Sequence, residues 1–164
     1  MRIKAFRAVG GYDEAFSHNE DAELDYRLTR AGHRIWLTGR TRLIYIPRSS
    51  LLPLWRQYQA FGRGRRRNLV KHKVQPGLRQ AVVAGLAPAL ALAVLTPVAM
   101  IFALPLLGWL AIRILGGLAI ALSQRSLAGL PAGFFAGAMH LAWSVGFWRE
   151  ALSGPPSRNR RGSQ

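Results

Sequence analysis

The feature that most constrains this sequence is a run of 42 residues, 81–122, that contains a single charged side chain, Arg113. One membrane-spanning helix needs about 20 apolar residues, so this run is long enough for two spans. Residues 127–148 add 22 more without a Lys, Arg, Asp or Glu, and include His140, for which a hydrogen bond between helices is the favoured interpretation. The sequence therefore predicts an α-helical membrane domain, 81–148, of two to three transmembrane helices; length favours three, near 81–102, 104–122 and 128–148.

The charges are concentrated outside this apolar block. The chain has 23 Lys or Arg against 7 Asp or Glu, a net charge of +16, and its first 80 residues hold 17 of the basic and 6 of the acidic side chains. Lys and Arg beside membrane spans mark the cytoplasmic side and attract anionic headgroups. We therefore expect anionic membrane lipids as the polyanionic partner, and no nucleic acid, because the basic run 63–73 lacks interleaved aromatic residues.

Residues 20–31 show the pattern of a surface helix. Asn19 is a favourable N-cap, and acidic residues fill the first turn, where the helix dipole stabilises anions. Gly32 stands where helices commonly end in the left-handed conformation. Before this helix, the pair Gly10-Gly11 predicts a loop with positive φ or a close approach of the backbone to a ligand.

Two short strands are predicted after the helix, at 34–38 and 42–46. Gly39 lies between them, and Pro47 ends the second. Helix and strands together give the leading region, residues 1–49, the character of an α/β fragment. At the other end of the chain, residues 149–164 are rich in Pro, Ser, Arg and Gly, and we expect a disordered basic tail.

Residues 50–80 are expected to form a basic amphipathic helix followed by a linker. Between Ser50 and about Leu69, apolar side chains share one helical face and most arginines lie elsewhere; the apolar members are Leu51, Leu54, Trp55, Tyr58 and Phe61. A helix of this kind lies in the membrane interface. The alternative is a helix that packs against its own domain through the same face.

Several short motifs occur together in the first part of the chain. A Gly-Gly-aromatic-Asp-Glu loop at residues 10–14 precedes an acidic pair, Glu20-Asp21, and then Arg27-Leu28 and Ala31-Gly32. This combination resembles the second half of the GT-A catalytic domain of bacterial family 2 membrane glycosyltransferases. Other segments resemble a branch of that family that builds exopolysaccharides such as succinoglycan: Tyr45-Ile46-Pro47-Arg48, Arg56-Gln57-Tyr58, Phe61-Gly62, Gly64-Arg65 and residues 139–147. The resemblance covers about residues 5–150.

The resemblance implies an inverting transfer from a nucleotide sugar, in which a carboxylate takes the proton of the acceptor hydroxyl. That catalytic role falls on Asp21, with Glu20 beside it. The start of a helix suits such a base, because the dipole keeps the carboxylate ionised and the helix holds it rigidly. The alternative is that both are ordinary residues of a first helical turn.

The resemblance also implies substrate-binding residues. The glycine loop and its acids would shape the acceptor side, and arginines after residue 50 would hold a diphosphate on a lipid carrier or nucleotide. These candidates are Gly10, Gly11, Asp13, Glu14, Arg56, Gln57, Arg63 and Arg65; a turn, solvated or lipid-facing role is the alternative. Processive relatives carry Gln-x-x-Arg-Trp where this chain has 57–61, Gln-Tyr-Gln-Ala-Phe, which favours addition of a single sugar.

Members of the family hold Mg²⁺ or Mn²⁺ on an Asp-x-Asp motif in a nucleotide-binding half, where the metal offsets charge on the leaving group. No Asp-x-Asp occurs in this sequence, so no metal ligand is assigned to it. We therefore expect the chain to begin in mid-domain, to be inactive alone, and to have a separate N-terminal half as a partner.

For the completed enzyme we expect a nucleotide sugar and a lipid-linked or polysaccharide acceptor as substrates. Its expected location is the bacterial inner membrane, crossed several times, with the catalytic segment cytoplasmic. The alternative function is a non-enzymatic membrane anchor or interaction module derived from such an enzyme.

Overall fold

The computed structural model describes residues 2–36, 38–44, 46, 50–95 and 97–153. Within this part the chain forms seven α-helices: α1 (Ile3–Ala8), α2 (Glu20–Arg30), α3 (Leu51–His72), α4 (Leu78–Ala84), α5 (Leu86–Leu92), α6 (Leu104–Ser123) and α7 (Leu130–Leu152). Short 3₁₀ turns follow α5 and precede α6 and α7, at Ala93–Leu95, Met100–Ala103 and Leu127–Gly129.

The predicted α/β character of residues 1–49 is wrong, because no strand forms among the described residues of that region. The predicted strands, 34–38 and 42–46, follow irregular backbone instead; residues 37, 45 and 47–49 lie outside the described part. Apolar side chains of these segments are open to solvent, with Trp36 88% and Ile44 96% exposed. A strand needs a partner for its backbone groups, and an isolated pair of strands is marginal in water. The described residues offer these segments neither a further strand nor a packed face.

Helix α2 confirms the helix predicted at 20–31, but Asn19 does not cap it as expected. Asn19 has a φ of 63° and makes no side-chain capping bond; its amide nitrogen donates instead to the carbonyl oxygen of Phe61 in α3, 3.1 Å away. The end of the helix follows the prediction. Gly32 has a φ of 82°, and the next N–H, of His33, donates to the Leu28 carbonyl over 3.0 Å, which closes a Schellman motif.

Three helical segments of the described chain are long and apolar enough to span a membrane: Leu78–Leu95, Met100–Ser123 and Leu127–Leu152. Their number agrees with the three expected from the length of the apolar block. The second and third form a hairpin in which α6 and α7 approach closely, since a Cβ on Gly133 would overlap the carbonyl of Arg113. The predicted helix–helix hydrogen bond of His140 is confirmed: Arg113 donates to its Nδ1 over 3.1 Å.

The first apolar segment is broken into α4 and α5 because Pro88 has no N–H. A proline there leaves the carbonyl of Ala84 without its helical partner. Ser144 of α7 compensates, since its hydroxyl donates to Ala84 over 2.7 Å and accepts from the N–H of Ala87 over 2.9 Å. Trp148 donates to the same carbonyl over 2.8 Å. Neighbouring helices commonly satisfy the backbone groups that a proline frees within a membrane.

Helix α3 packs directly on the C-terminal half of α7. A Cβ on Gly62 would overlap the carbonyl oxygen of Trp143, and a Cβ on Gly146 would overlap that of Gln59. The two backbones are therefore in contact. Glu150 of α7 adds ion pairs to two arginines of α3, at 2.5 Å from the Nε of Arg67 and 3.1 Å from that of Arg63.

The apolar face of α3 serves two separate contacts within the chain. Leu51 and Trp55 line a groove shared with α6 and α7, whereas Tyr58 and Phe61 line a cavity beside α2. This arrangement matches the alternative in which α3 packs against its own chain. A position of α3 along the membrane surface stays a prediction.

We predict that Gly62→Ala lowers the free energy of unfolding by about 1–3 kcal/mol, because the added methyl group forces α3 away from α7. Thermal unfolding in detergent micelles, followed by circular dichroism, measures the change. Gly108→Ala is the matched control, since a Cβ at that helical position meets nothing within 4 Å. Equal melting temperatures for the Gly62 variant and the parent would show that the two backbones are not in contact.

Candidate functional site

The loop before α2 takes the conformation that its glycines predict. Gly10 and Gly11 have φ angles of 84° and 70°, in the left-handed region. Arg27, which projects from α2, holds the loop by donating to the carbonyl of Val9 and, over 2.6 Å, to that of Gly11. The loop is thus fixed by its own helix, with the peptide oxygens turned toward a guanidinium.

Glu23 is the centre of the ionic network that joins this loop to α3. Its side chain is fully buried, at 0% exposure. Its two oxygens lie 2.9 Å from the Nε of Arg27, and one of them lies 2.5 Å from Lys71 Nζ and 2.9 Å from His72 Nε2. Because the carboxylate only accepts, the Nε2 of His72 carries a proton. Lys71 also pairs with Asp13 of the loop over 2.7 Å.

The network keeps its carboxylates ionised. Burial acts to raise the pKa of Glu23, but the hydrogen bonds from Arg27, Lys71 and His72 outweigh it and lower that pKa to about 2. The hydrogen bond from Lys71 likewise lowers the pKa of Asp13. Burial acts to lower the pKa of Lys71, and the bonds to Asp13 and Glu23 reverse this and raise it. All three groups therefore stay charged at neutral pH.

A cavity of about 440 Å³ opens between the start of α2, the middle of α3 and α7. Glu20 and Asp21 face it from α2, and Arg65 faces it from α3. Its aromatic walls are Tyr58, Phe61 and Trp143, and Ser17, His18, Asn19 and Ala22 complete the lining. Aromatic walls with a few charged groups are typical of sites that bind small molecules.

Close backbone contact explains why these side chains converge. A Cβ on Gly64 would lie 2.5 Å from the carbonyl oxygen of His18, so only glycine lets the segment before α2 rest on α3. The amide of Asn19 then bonds to the Phe61 carbonyl. These two contacts place the first turn of α2, with its acidic pair, above the aromatic face of α3.

The two acids of the cavity are not held in ion pairs with any described residue. Asp21 is exposed, and its Oδ1 accepts the N–H of Ala22 over 2.7 Å. By contrast, Asp13, Glu23 and Glu150 are all bound to basic side chains. The carboxylates of Glu20 and Asp21 are thus the ones that remain open to a ligand in this cavity.

The structure groups only some of the candidates from sequence. Glu20, Asp21 and Arg65 share the cavity. Arg63 instead pairs with Glu150 and borders a smaller cavity of about 110 Å³ with Arg67. The other candidates are not among the residues that line the 440 Å³ cavity: Gly10, Gly11, Asp13, Glu14, Arg56 and Gln57. Their substrate-binding roles stay predictions.

Sequence reasoning missed the Glu23 network and the contribution of α7. The spacing of Glu23 and Arg27 by four residues is a readable signal for an ion pair on a helix. Nothing local connects Glu23 with Lys71, which lies 48 residues further along the chain. Trp143 was part of a recognised motif, but only the packing of α7 on α3 shows that it lines the cavity.

The described residues contain no group of three or more His, Cys, Asp or Glu side chains that fits a metal ion. They do not form the Mg²⁺ or Mn²⁺ site expected for the completed enzyme. The metal requirement of the completed enzyme stays a prediction.

The fold and the site define a class of protein: a small polar module, formed by α1 to α3, with an acidic, aromatic cavity, carried on helices able to span a membrane. Comparison with known proteins narrows this class. Over 152 residues, 93% of this chain, the sequence is 53% identical to the succinoglycan biosynthesis protein ExoA of Rhizobium meliloti (strain 1021). The chain spans 46% of the length of that protein. No family model and no solved structure matches. The resemblance to a succinoglycan-building branch is thereby confirmed.

We predict that acid destabilises the protein through Glu23. Because its pKa is lowered from the ordinary 4.5 to about 2, its contribution is complete above pH 4.5 and is lost as the pH falls to about 2. The full loss corresponds to at most about 3 kcal/mol. Chemical denaturation in detergent at a series of pH values between 2 and 7 measures it.

The matched variants for this test are Glu23→Gln and Asp25→Asn. Asp25 lies on the same helix but is exposed, and no described residue forms an ion pair with it. Glu23→Gln should be less stable at pH 7 and should show a smaller decline in stability below pH 4.5 than the parent. A Glu23→Gln variant with the parental acid profile would assign the decline to other groups.

Proposed function

We propose that this chain supplies the acceptor-side part of an inverting, nucleotide-sugar-dependent glycosyltransferase of exopolysaccharide synthesis. The observation that carries the proposal is the cavity in which Asp21 and Glu20 stand unpaired opposite Arg65. The similarity to a succinoglycan biosynthesis protein supports it. The chain spans 46% of the length of that relative. We propose that a nucleotide-binding half completes the enzyme and that the completed enzyme transfers the sugar.

Asp21 acts as the general base in this proposal. As the acceptor hydroxyl attacks the anomeric carbon of the donor, a new carbon–oxygen bond forms and the bond to the nucleoside diphosphate breaks. The bonding electron pair leaves with the diphosphate, and the hydroxyl proton moves to the Asp21 carboxylate. Asp21 is exposed in the first turn of α2 and faces the cavity, so an acceptor hydroxyl can reach its carboxylate.

The rest of the cavity binds and orients the acceptor. Arg65 provides a fixed positive charge for a phosphate group, with which a guanidinium forms paired hydrogen bonds. Tyr58, Phe61 and Trp143 offer flat apolar surfaces to a sugar ring or a lipid chain and exclude water from the reacting atoms. A lipid-linked or polysaccharide acceptor supplies both kinds of group.

The enzyme is proposed to work at the bacterial inner membrane with the cavity on the cytoplasmic side. Three apolar helical segments are long enough to cross the bilayer. The polar module carries most of the basic residues, and basic segments beside spans stay cytoplasmic. The same charges attract anionic lipids.

We predict that Asp21→Asn slows sugar transfer by about 10²–10⁴ when the chain is completed by a nucleotide-binding half, because the variant has no proton acceptor. Transfer of a radiolabelled sugar in reconstituted membranes measures the rate. Donor binding, measured separately, should match that of the parent.

Asp25→Asn is the control, since it removes a carboxylate from the exposed side of the same helix. It should transfer sugar at close to the parental rate. Parental activity in Asp21→Asn would refute the assignment of the base. Sugar transfer by the isolated chain would refute the requirement for a second half.

A further inference from the structure

A second site lies in the hairpin of apolar helices, away from the Asp21 cavity. We propose that the groove between α3, α6 and α7 binds one acidic glycerophospholipid, with its phosphodiester on Arg113 and an acyl chain along the groove. This inference rests on the membrane location in the proposed function, and it is independent of sugar transfer.

The groove has a volume of about 440 Å³ and is almost entirely apolar. Trp55 reaches it from α3, Trp109 and Arg113 from α6, and Phe134 and Leu141 from α7, with Leu51, Leu110, Ile114, Leu130 and Ala138 completing the walls. Leu110, Ile114 and Phe134 are 41%, 69% and 61% exposed, so the groove opens on the outer surface of the hairpin. In a bilayer, that surface faces lipid.

Arg113 brings an unneutralised charge to this groove. Its NH1 donates to the Nδ1 of His140 over 3.1 Å. Because arginine only donates, the Nδ1 of His140 carries no proton and that ring is neutral. The Nε of Arg113 and the Nε1 of Trp109 are both buried, and neither has a hydrogen-bond partner among the described residues. Both of these nitrogens are enclosed by the protein, so a ligand in the groove would bind Arg113 through its terminal guanidinium nitrogens.

No carboxylate of the described residues forms an ion pair with Arg113. All seven acidic residues lie between Asp13 and Asp25 or at Glu150, and Glu150 is bound to Arg63 and Arg67. The positive charge of Arg79 also acts on His140, so the surroundings gain a further cation and no anion. A charged residue inside an apolar span is costly unless it is paired, and no described residue supplies the counterion.

A phospholipid has a group for each part of this site, the cationic Arg113 and the apolar walls. Its phosphodiester oxygens accept from the terminal nitrogens of the Arg113 guanidinium, and its acyl chain covers the apolar walls. Phosphate is a preferred partner of arginine because paired hydrogen bonds add to the charge attraction. An acidic headgroup is favoured over a zwitterionic one, since these surroundings add no carboxylate that would attract a choline or an amine.

Native mass spectrometry of the full chain tests the proposal. The chain is delipidated in detergent and then titrated with phosphatidylglycerol, without any sugar donor. One lipid should bind per chain, and Arg113→Gln should weaken that binding at least about tenfold, the effect of losing one charge-assisted hydrogen bond. Arg125→Gln, which removes a charge from the connection after α6 and outside the groove, should bind as the parent does.

Ala138→Phe tests the groove without altering charge, because the larger side chain occupies the space of the acyl chain. It should also bind at least about tenfold more weakly, and it keeps the test valid if Arg113→Gln fails to fold. Parental binding by either variant would refute the site.

Two other lipids test which class of lipid occupies the groove. Phosphatidylcholine that binds as tightly as phosphatidylglycerol would refute the preference for an acidic headgroup. A polyisoprenyl phosphate that displaces phosphatidylglycerol at lower concentration would refute a bilayer lipid as the occupant. Loss of sugar transfer in Asp21→Asn with lipid binding intact separates this site from the catalytic one.

Discussion

The close contact of α3 with two other parts of the chain is the constraint on which the candidate site depends. Gly62 admits the backbone of α7, and Gly64 admits the segment before α2. A Cβ would overlap the carbonyl oxygen of Trp143 at Gly62 and would lie 2.5 Å from that of His18 at Gly64, so a side chain at either position would push its neighbour away. Because α3 lies between them, the acids of α2 and Trp143 of α7 reach the same cavity only while both contacts are kept.

Electrostatics reinforces this arrangement in a chain with few acids. Glu23 draws Arg27, Lys71 and His72 together, so that the start of the module and the end of α3 share one buried carboxylate. Glu150 does the same for α3 and α7. Each of these buried carboxylates is bound to several donors, and its removal leaves basic side chains facing one another. The acids of the cavity differ, because no described residue pairs with them.

The features that depend on the local pattern of residues could be predicted from the sequence. Helix α2, its glycine end and the positive φ angles of the preceding loop follow from residue type and spacing within a few positions. The three apolar helical segments follow from length and composition. Asp21 was found because it belongs to a motif, and Arg65 for the same reason; the structure then placed both in one cavity.

The features that could not be predicted from the sequence depend on contacts between residues that are distant in the chain. The strands at 34–38 and 42–46 have suitable residues, but a strand is stabilised by a partner, and the described chain provides none. Asn19 has the residue type of a cap, yet its amide is used by a carbonyl 42 residues away. Local propensity is weak beside a tertiary hydrogen bond that joins two helices, so the tertiary contact decides the conformation.

Helix α7 joins the apolar helices to the candidate site. Trp143 forms a wall of the cavity. The next residue, Ser144, donates a hydrogen bond to the Ala84 carbonyl, which Pro88 leaves without its helical partner in the first apolar segment. Consecutive side chains on a helix point about 100° apart, so one turn of α7 serves the cavity on one side and the broken segment on the other. A shift of α7 would therefore disturb both contacts together. The position of the apolar helices and the shape of the cavity, with its Asp21 carboxylate, are therefore coupled through this turn.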